Sequence, residues 1–435
     1  MPSTSREFIE EKPGSTPLSG EVEVLVCGGG PAGIAAALSA ARTGARVQLL
    51  EHQGCLGGVW TAGLLSWIID SADKGGLMQE IRSRAQTEPQ PSGSKSRNFS
   101  YHAEEMKLLL EELCQQAGVQ VRLYTRVVAT QVSGRHLQTV ITESKSGREA
   151  WKARVCIDTT GDGDLAALAG CRFDMGAPES GNTQPMSLMA LLTGIDAAGS
   201  EPYRSGLPDN RTRKERLNRL LIAQGVEPSY AWPSIFRIHD NLYALMANHQ
   251  YGVKCNDAQG MTEATIAARR EIHEVVQAMV RHGGPFQNAE VVATAPQIGV
   301  REGRRIRGLY HVTLEDLIEG KQHPDAVCRV TFGIDVHSVS KKLGATVDRA
   351  NDTRTQPYDI PMRALISRDI DNLMMAGRCI SGDFLAHSSY RVTGNAVAMG
   401  EAAGACAAIA SRRGEPPAEV PFAAVAECLK LYRAP

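Results

Sequence analysis

The chain has no excess of charge: 47 Lys and Arg stand against 48 Asp and Glu, a formal net charge of -1 over 435 residues. That balance gives no electrostatic reason to expect nucleic acid or an anionic membrane surface as a partner. No uninterrupted apolar run reaches the roughly 18 residues that a membrane span needs. The opening MPSTSREFIEEKPGSTPLSG is polar and charged and lacks the apolar centre of a secretory signal. A cytoplasmic protein with loose residues 1–20 is therefore expected. The ten cysteines include no CxxC pair, and several lie in apolar runs such as Val155-Cys156-Ile157. They read as buried reduced thiols, with neither a disulfide framework nor a metal expected. What the chain has in quantity is glycine, 42 residues against a usual share of about 7%, which suits a fold with many tight turns.

The glycines are most informative between Val22 and Glu51. An apolar run Val22 to Val26 leads into Gly28-x-Gly30-x-x-Gly33, an Ala/Leu-rich segment runs to Thr43, and a second apolar run Val47 to Leu50 ends at Glu51. This is strand, turn, helix, strand. In such a unit Gly28 permits the tight turn, Gly30 lets the backbone approach a pyrophosphate, and Gly33 lets helix and strand pack closely. Pro31 and Ala32 then open the helix whose unpaired N–H groups face the phosphates. Glu51 lies eighteen residues past Gly33, near the offset at which an acid takes ribose hydroxyls. The bland alternative is a merely tight glycine turn. No second strand-GxGxxG-helix unit follows, so no separate nicotinamide domain is evident.

Farther on, His102 to Gly118 reads as an amphipathic helix, followed by three apolar runs, VQVRLYTRVVATQV, LQTVITES and ARVCIDTT. The last ends in Thr160-Gly161-Asp162-Gly163-Asp164, an acid at the carboxyl edge of a parallel sheet or simply a helix N-cap. The middle, about Phe173 to Arg354, mixes helix-like stretches such as Met261 to His282 with strand-like runs such as Val327 to Ile334. An insertion there suits a substrate domain, since pockets favour domain interfaces. Arg301, Arg304, Arg305 and Arg307 could grip an anion or form internal ion pairs.

Near the carboxyl end the chain reads Asn372-Leu373-Met374-Met375-Ala376-Gly377-Arg378-Cys379-Ile380-Ser381, then Arg391-Val392 and MGEAAGACAAIA. With EHQGCLGGVWTAG, PQIGVREGRRIRG, TLEDL and YDIPMRALI, these segments resemble the FAD-dependent oxidoreductase family from Glu21 to the final helix. The resemblance implies an α/β fold: a glutathione-reductase-type, Rossmann-like FAD-binding domain with an inserted α+β substrate or cap domain. The expected division is a flexible segment 1–20, FAD-binding parts at 21–172 and 355–412, the inserted domain at 173–354, and a C-terminal helix at 413–435.

By the same resemblance, Gly28, Gly30 and Gly33 face the FAD pyrophosphate, Glu51 holds the adenosine ribose, Gly57 and Gly58 run beside the flavin, and the Val128 backbone meets the adenine. Gly161 lies at the sheet edge. Gly377 lies near the ribitol, where the related fold usually has Gly-Asp and this chain has Gly377-Arg378. Asn395 and Ala396 precede a last helix Ala398 to Ala410 whose N-terminus points at the flavin N1 and O2 edge, where it stabilises negative charge. Arg391 matches a family arginine, an anchor for an anionic substrate or a structural ion pair. His387 is expected beside the flavin as a general base or as a hydrogen-bonded bystander. Cys55 lacks a partner for a dithiol relay, though its position allows covalent attachment of the flavin.

The reaction these residues suggest is hydride transfer from a small organic substrate to flavin N5, with the flavin reduced by that substrate and not primarily by NAD(P)H. The alternatives are a monooxygenase or halogenase, for which the WxWxIP signature is missing, and a non-redox dinucleotide-binding protein. The substrate, electron acceptor and oligomeric state are not specified by the sequence.

Overall fold

The computed structural model describes residues 14–87, 97–339 and 353–432. Its main sheet grows from strand β1 (Leu18–Cys27), flanked in parallel by β2 (Val47–Leu50) and β8 (Gly147–Asp158). Val24 lies opposite both Val47 and Val155. Because both faces of these strands are covered, they read as continuous apolar runs without alternation. Residues 18–20, expected to be loose, pair with Ala150 and Trp151 at the start of β1, whereas residues 1–13 lie outside the described chain.

Helix α1 (Pro31–Arg42) connects β1 to β2 and is buried from Ala32 to Ala40. A small antiparallel pair, β3 (Trp67–Ile68) with β4 (Phe99–Ser100), follows on either side of α2 (Gly76–Ala85). Helix α3 (Ala103–Gln116) is capped by the His102 side chain and leads to β5 (Gln120–Arg122), which extends the sheet beside β2. The apolar run expected as one strand breaks at Tyr124, whose φ of 54° turns the chain into β6 (Arg126–Ser133). β6, β7 (His136–Ser144) and β8 form an antiparallel meander, giving the order β5-β2-β1-β8-β7-β6. A short helix α4 (Asp164–Leu168) and strand β9 (Phe173–Asp174) complete this part.

A second, antiparallel sheet has the order β11-β12-β10-β13, from β10 (Ala190–Thr193), β11 (Ser234–His239), β12 (Leu242–Met246) and β13 (Glu290–Thr294). Helices α5 (Asn210–Ala223) and α6 (Ala258–His282) contribute Leu217, Leu221, Ala268, Ile272 and Val276 to its core. That core runs from Met186 to Ile298 apart from Leu64 and Ala103, a narrower span than the expected 173–354. Residues 305–336 return to the first core through β14 (Arg305–Ile306) on β9, helix α7 (Leu314–Glu319), and β15 (Ala326–Val330). The ladder is the physical reason: β15 pairs with β16 (Tyr358–Pro361), and β17 (Leu373–Met375) joins the main sheet beside β8. The upper end of the expected insertion, 340–352, lies outside the described residues.

Helices α8 (Phe384–Tyr390), α9 (Thr393–Arg413) and α10 (Phe422–Tyr432) end the fold. Helices α1 and α9 touch backbone to backbone. A Cβ on Gly400 would overlap the Ala32 carbonyl oxygen, and one on Gly404 the Ala36 carbonyl oxygen. Both helices therefore carry small residues one turn apart on their shared face. Among the described residues no helix is long and apolar enough to cross a membrane.

Candidate active site

The glycine turn follows β1. Gly28 has φ 106°, and a Cβ at Gly33 would overlap the Gly28 carbonyl oxygen, so neither position tolerates a side chain. Gly30 differs: a Cβ there would meet no atom within 4 Å. As N-cap of α1, with Pro31 following, it opens the helix N-terminus onto free space, the arrangement that accepts a phosphate. The Gly57 N–H donates to the Gly29 carbonyl at 2.7 Å, which seats the Gly57-Gly58 turn against this loop.

Glu51 is buried at the end of β2. Its Oε2 accepts from the Gly29 N–H at 2.6 Å; its Oε1 accepts from the Gln53 N–H at 2.7 Å and lies 2.8 Å from His52 Nδ1. Burial raises its pKa, but hydrogen bonds from His52, Gln53 and Gly29 outweigh that, and the carboxyl sits below its ordinary value. A carboxylate offers about four lone-pair sites, so capacity for a ribose hydroxyl remains.

Segments distant in sequence converge on the same loop. The Cβ position of Gly377 is 3.0 Å from Ala32 Cβ and 3.8 Å from Ala396 Cβ. Val128 falls where the β6–β7 register shifts, between Val127 and Ala129, outside the regular ladder. Gly161 faces the Arg378 guanidinium, which donates to Asp162 at 2.8 Å and to the Val300 carbonyl at 2.9 Å. Helix α9 starts at Thr393, five residues earlier than expected, so Asn395 and Ala396 lie in its first turn and do not precede it. Gly394 makes the early start possible: a Cβ there would overlap the Asp70 carbonyl, and its N–H donates to the Ile69 carbonyl at 3.2 Å.

The basic cluster divides. Arg304 pairs with Asp164 at 2.8 Å, Arg307 with Asp174 at 2.8 Å, and Arg305 with buried Glu302. Arg301 has no carboxylate in ion-pair contact among the described residues; it donates to the Pro185 carbonyl at 2.7 Å and the Ser187 hydroxyl at 2.8 Å. Burial lowers its pKa to about 10, with the nearby positive charge of Arg391 acting the same way.

Arg301 belongs to a polar group between the two bodies that sequence reading did not assemble. Arg391, which caps α8, donates to the Asp335 carbonyl at 2.9 Å and lies 3.6 Å from its carboxylate. Asp335 also meets His337 Nε2 at 3.2 Å, and Gln184 Oε1 accepts the His337 N–H at 3.0 Å. Beyond them the His249 ring packs 4.9 Å from His337 and 4.2 Å from Tyr230. The Asp335 side chain keeps 44% of its surface accessible, although burial is the largest influence on its carboxyl. Arg391 keeps 11% and His337 12%, so the group opens to the surface at Asp335 as a recess. Among the described residues the buried Arg391 Nε and Gln184 Nε2 donors have no hydrogen-bond partner. The one sequence signal for this group was Asp335-x-His337, whose spacing places both side chains on one side of an extended segment. The grooves along α6, beside Arg269, His273 and Gln277, lie apart from these groups.

His387 occupies a different setting from the one expected. It is 0% accessible, packed 5.4 Å from the Tyr390 ring, and burial together with Arg305, Arg391 and Arg378 holds it neutral, well below its ordinary pKa. The ring has no accessible surface, and neither of its nitrogens has a hydrogen-bond partner among the described residues. Cys55 rests with its Sγ 3.6 Å from Thr61 Oγ1.

A parallel sheet with a glycine turn on a helix N-terminus, an acid ending its second strand and a second sheet beside it define an α/β dinucleotide-binding protein. Residues 23–429 match the family described as FAD dependent oxidoreductase, and the chain belongs to that family. It is an enzyme, and its cofactor is FAD. The fold is similar to that of p-nitrophenol 4-monooxygenase PnpA from Pseudomonas putida DLL-E4, with 11% identity, 95% of this chain and 85% of that chain covered, and a TM-score of 0.50. A geranylgeranyl bacteriochlorophyll reductase-like protein from Thermoplasma acidophilum shares 12% identity, covering 95% of this chain and 82% of that one at a TM-score of 0.49. The flavin-dependent brominase Bmp2 shares 13%, covering 94% and 84% at 0.48. No curated protein matches the sequence.

Proposed function

We propose that the enzyme oxidises a small anionic organic substrate, which Arg301 and Arg391 hold between the cofactor-binding body and the second sheet. The observation that carries this reading is the charge and hydrogen-bond balance of the recess. Two largely buried guanidinium groups face Asp335, the Glu302 carboxylate that also acts on Arg391 is already paired with Arg305, and among the described residues the Arg391 Nε and Gln184 Nε2 donors lack acceptors. Buried donors and uncompensated cations are costly, and an anion that accepts from them removes both penalties. The Asp335–His337 contact and the Asp335 backbone carbonyl orient Arg391 toward that ligand.

The glutathione-reductase-type form of the fold is our reading of the β6–β8 meander and of the return of β17 and α9 to the first body. The residues fit FAD: Gly28, Gly30 and Gly33 with Pro31 and Ala32 would hold its pyrophosphate, Glu51 its ribose, and Gly57, Gly58, Gly377 and Ala396 would border it. When bound, FAD supplies the two-electron acceptor for a hydride from the substrate carbon. A single glycine-turn unit supports reduction by the organic substrate in preference to NAD(P)H.

The test is anaerobic mixing of the holoenzyme with a panel of 2-hydroxy and 2-amino carboxylates, followed by flavin absorbance. At least one member is expected to bleach the flavin. Arg391→Gln and Arg301→Gln should each raise the Kd for that acid about 10- to 100-fold, the loss of one charge-assisted hydrogen bond, without lowering flavin content. Rapid bleaching by NADH or NADPH alone overturns the dehydrogenase reading in favour of a monooxygenase-type cycle.

A further inference from the structure

We propose that His249 is the proton acceptor of the reaction, its Nε2 taking the O–H or N–H proton of the substrate while Arg301 and Arg391 hold the substrate's anionic group. The inference rests on the anionic-substrate reading and adds the base which that reading leaves unassigned.

The tautomer assigned to His249 is the one in which Tyr251 bonds to backbone. Tyr251 donates its hydroxyl proton to the Ser229 carbonyl at 3.3 Å, and the same oxygen lies 3.3 Å from His249 Nδ1. With the Tyr251 proton assigned to the Ser229 carbonyl, Tyr251 accepts from the imidazole, which puts the His249 proton on Nδ1 and a lone pair on Nε2. His249 is 6% exposed, and its buried Nε2 has no hydrogen-bond partner among the described residues. Among the described residues this group thus holds two buried donors without an acceptor, Arg391 Nε and Gln184 Nε2, and one buried acceptor without a donor, His249 Nε2. A carboxylate beside a hydroxyl or amine carries the matching set.

The ring is also held in place. Tyr230 packs against it with centroids 4.2 Å apart, and His337, tied to Asp335, meets it edge-on at 4.9 Å and 76°. His337 and Asp335 are positioning residues in this arrangement. They do not form a metal site with His249: no metal-binding group is present among the described residues.

The groups facing His249 are Arg301, Arg391, His337, Asp335, Tyr230 and Tyr251. Burial first, then the positive charge of Arg301, keeps the ring neutral, which is the form that accepts a proton. An anion on Arg301 and Arg391 cancels the repulsion and raises the proton affinity of Nε2 when the substrate arrives. In the step itself the substrate O–H or N–H bond breaks and its proton goes to Nε2. The C=O or C=N bond forms, and the C–H hydrogen leaves with its electron pair to oxidised FAD. The substrate loses two electrons and the cofactor gains two.

His249→Gln in the holoenzyme tests this with the acid that bleaches the flavin. The limiting rate of reduction is expected to fall about 10²- to 10⁴-fold, with the Kd changed less than about threefold and the acid limb of the pH profile lost. Imidazole added to His249→Ala should restore part of the rate. An unchanged rate and pH profile in His249→Gln overturns the proposal and leaves the anion site standing; unchanged Kd values in both arginine variants overturn the anion site instead. Should no acid in the panel bleach the flavin, the ring supplies the readout. In 15N-histidine spectra of the holoenzyme, assigned with His249→Gln, saturating acetate should move the His249 titration midpoint upward by about one pH unit or more. Bound acetate with an unmoved midpoint refutes the role, and acetate that does not bind refutes the anion site.

Discussion

The two bodies prepare their ligand sites in different ways. In the cofactor-binding body the work falls to backbone and to missing side chains: Gly30 leaves open space, Gly28 and Gly33 have no room for a Cβ, and Gly400 and Gly404 let α9 touch α1. At the seam with the second sheet, the work falls to charged and aromatic side chains from several segments: Tyr230, His249, Arg301, Asp335 and Arg391. A cofactor common to many enzymes is met by a local, sequence-contiguous loop, whereas the substrate is met by groups that only folding assembles.

The comparison breaks most severely at Gly33. Gly33→Ala puts a methyl into the Gly28 carbonyl and should cost about 3 kcal/mol or more, visible as a lowered urea midpoint along with lost flavin. Gly30→Val, at an extended backbone position with φ -72° and no atom near its Cβ, should leave the urea midpoint close to wild type while abolishing FAD retention on gel filtration. Full flavin content in Gly30→Val would remove the pyrophosphate from this loop.

A smaller effect is expected at Glu51. Glu51→Arg replaces an acceptor with a donor and should yield flavin-free protein. Glu51→Gln keeps one acceptor oxygen, and FAD affinity measured by fluorescence should weaken about 10- to 100-fold, the scale of a charge-assisted bond. Since Glu51 also receives the Gly29 and Gln53 N–H groups, Glu51→Arg should lower stability as well, while Glu51→Gln should lower it less. Equal flavin content in both variants and wild type would refute the ribose assignment.

The smallest effect concerns pH and belongs to the seam. Burial and Arg301 push His337 down to about 4 from its ordinary 6.5. Between those values the unfolded chain binds the proton and the folded one does not. The stability contributed by the neutral ring is thus complete above pH 6.5 and is lost as the pH falls toward 4, by up to about 1.4 kcal/mol per pH unit. Asp158, raised to about 6 by burial, acts in the opposite sense below pH 6. The difference between wild type and His337→Gln therefore isolates the effect, and the variant's urea midpoint should depend less on pH between 6.5 and 5. Parallel curves would show that His337 titrates normally.

What was readable in the sequence follows the same division. The run Val22–Val26, the glycine turn and Glu51 lie within one short stretch and emerge as β1, α1 and the end of β2, because their spacing is itself the geometry. The three ion-paired arginines were readable only as a cluster; Arg301 separates from them because the chain at β14 brings Arg304 and Arg307 to Asp164 and Asp174 of the first body, while Arg305 pairs with Glu302 in its own segment. The start of α9 was misplaced because Gly394 and Asn395 look like helix breakers, a local preference that the close approach of Asp70 overrides. The narrower insertion has a similar cause, since strand pairing through β14 and β15 leaves no periodic mark that distinguishes one sheet from another. His387 drew attention as a histidine beside the family motif, yet it is buried among arginines, while His249 stood in an unremarked segment after β12.

By itself the sequence determined the parallel sheet, the cofactor class and the residues of the glycine turn, since contiguous residues fix a loop through their own backbone limits. Only the tertiary structure decided which histidine and which arginines share the recess. Their juxtaposition depends on how the second sheet docks beside α8 and α9, and contacts between segments that far apart in the chain have no local code.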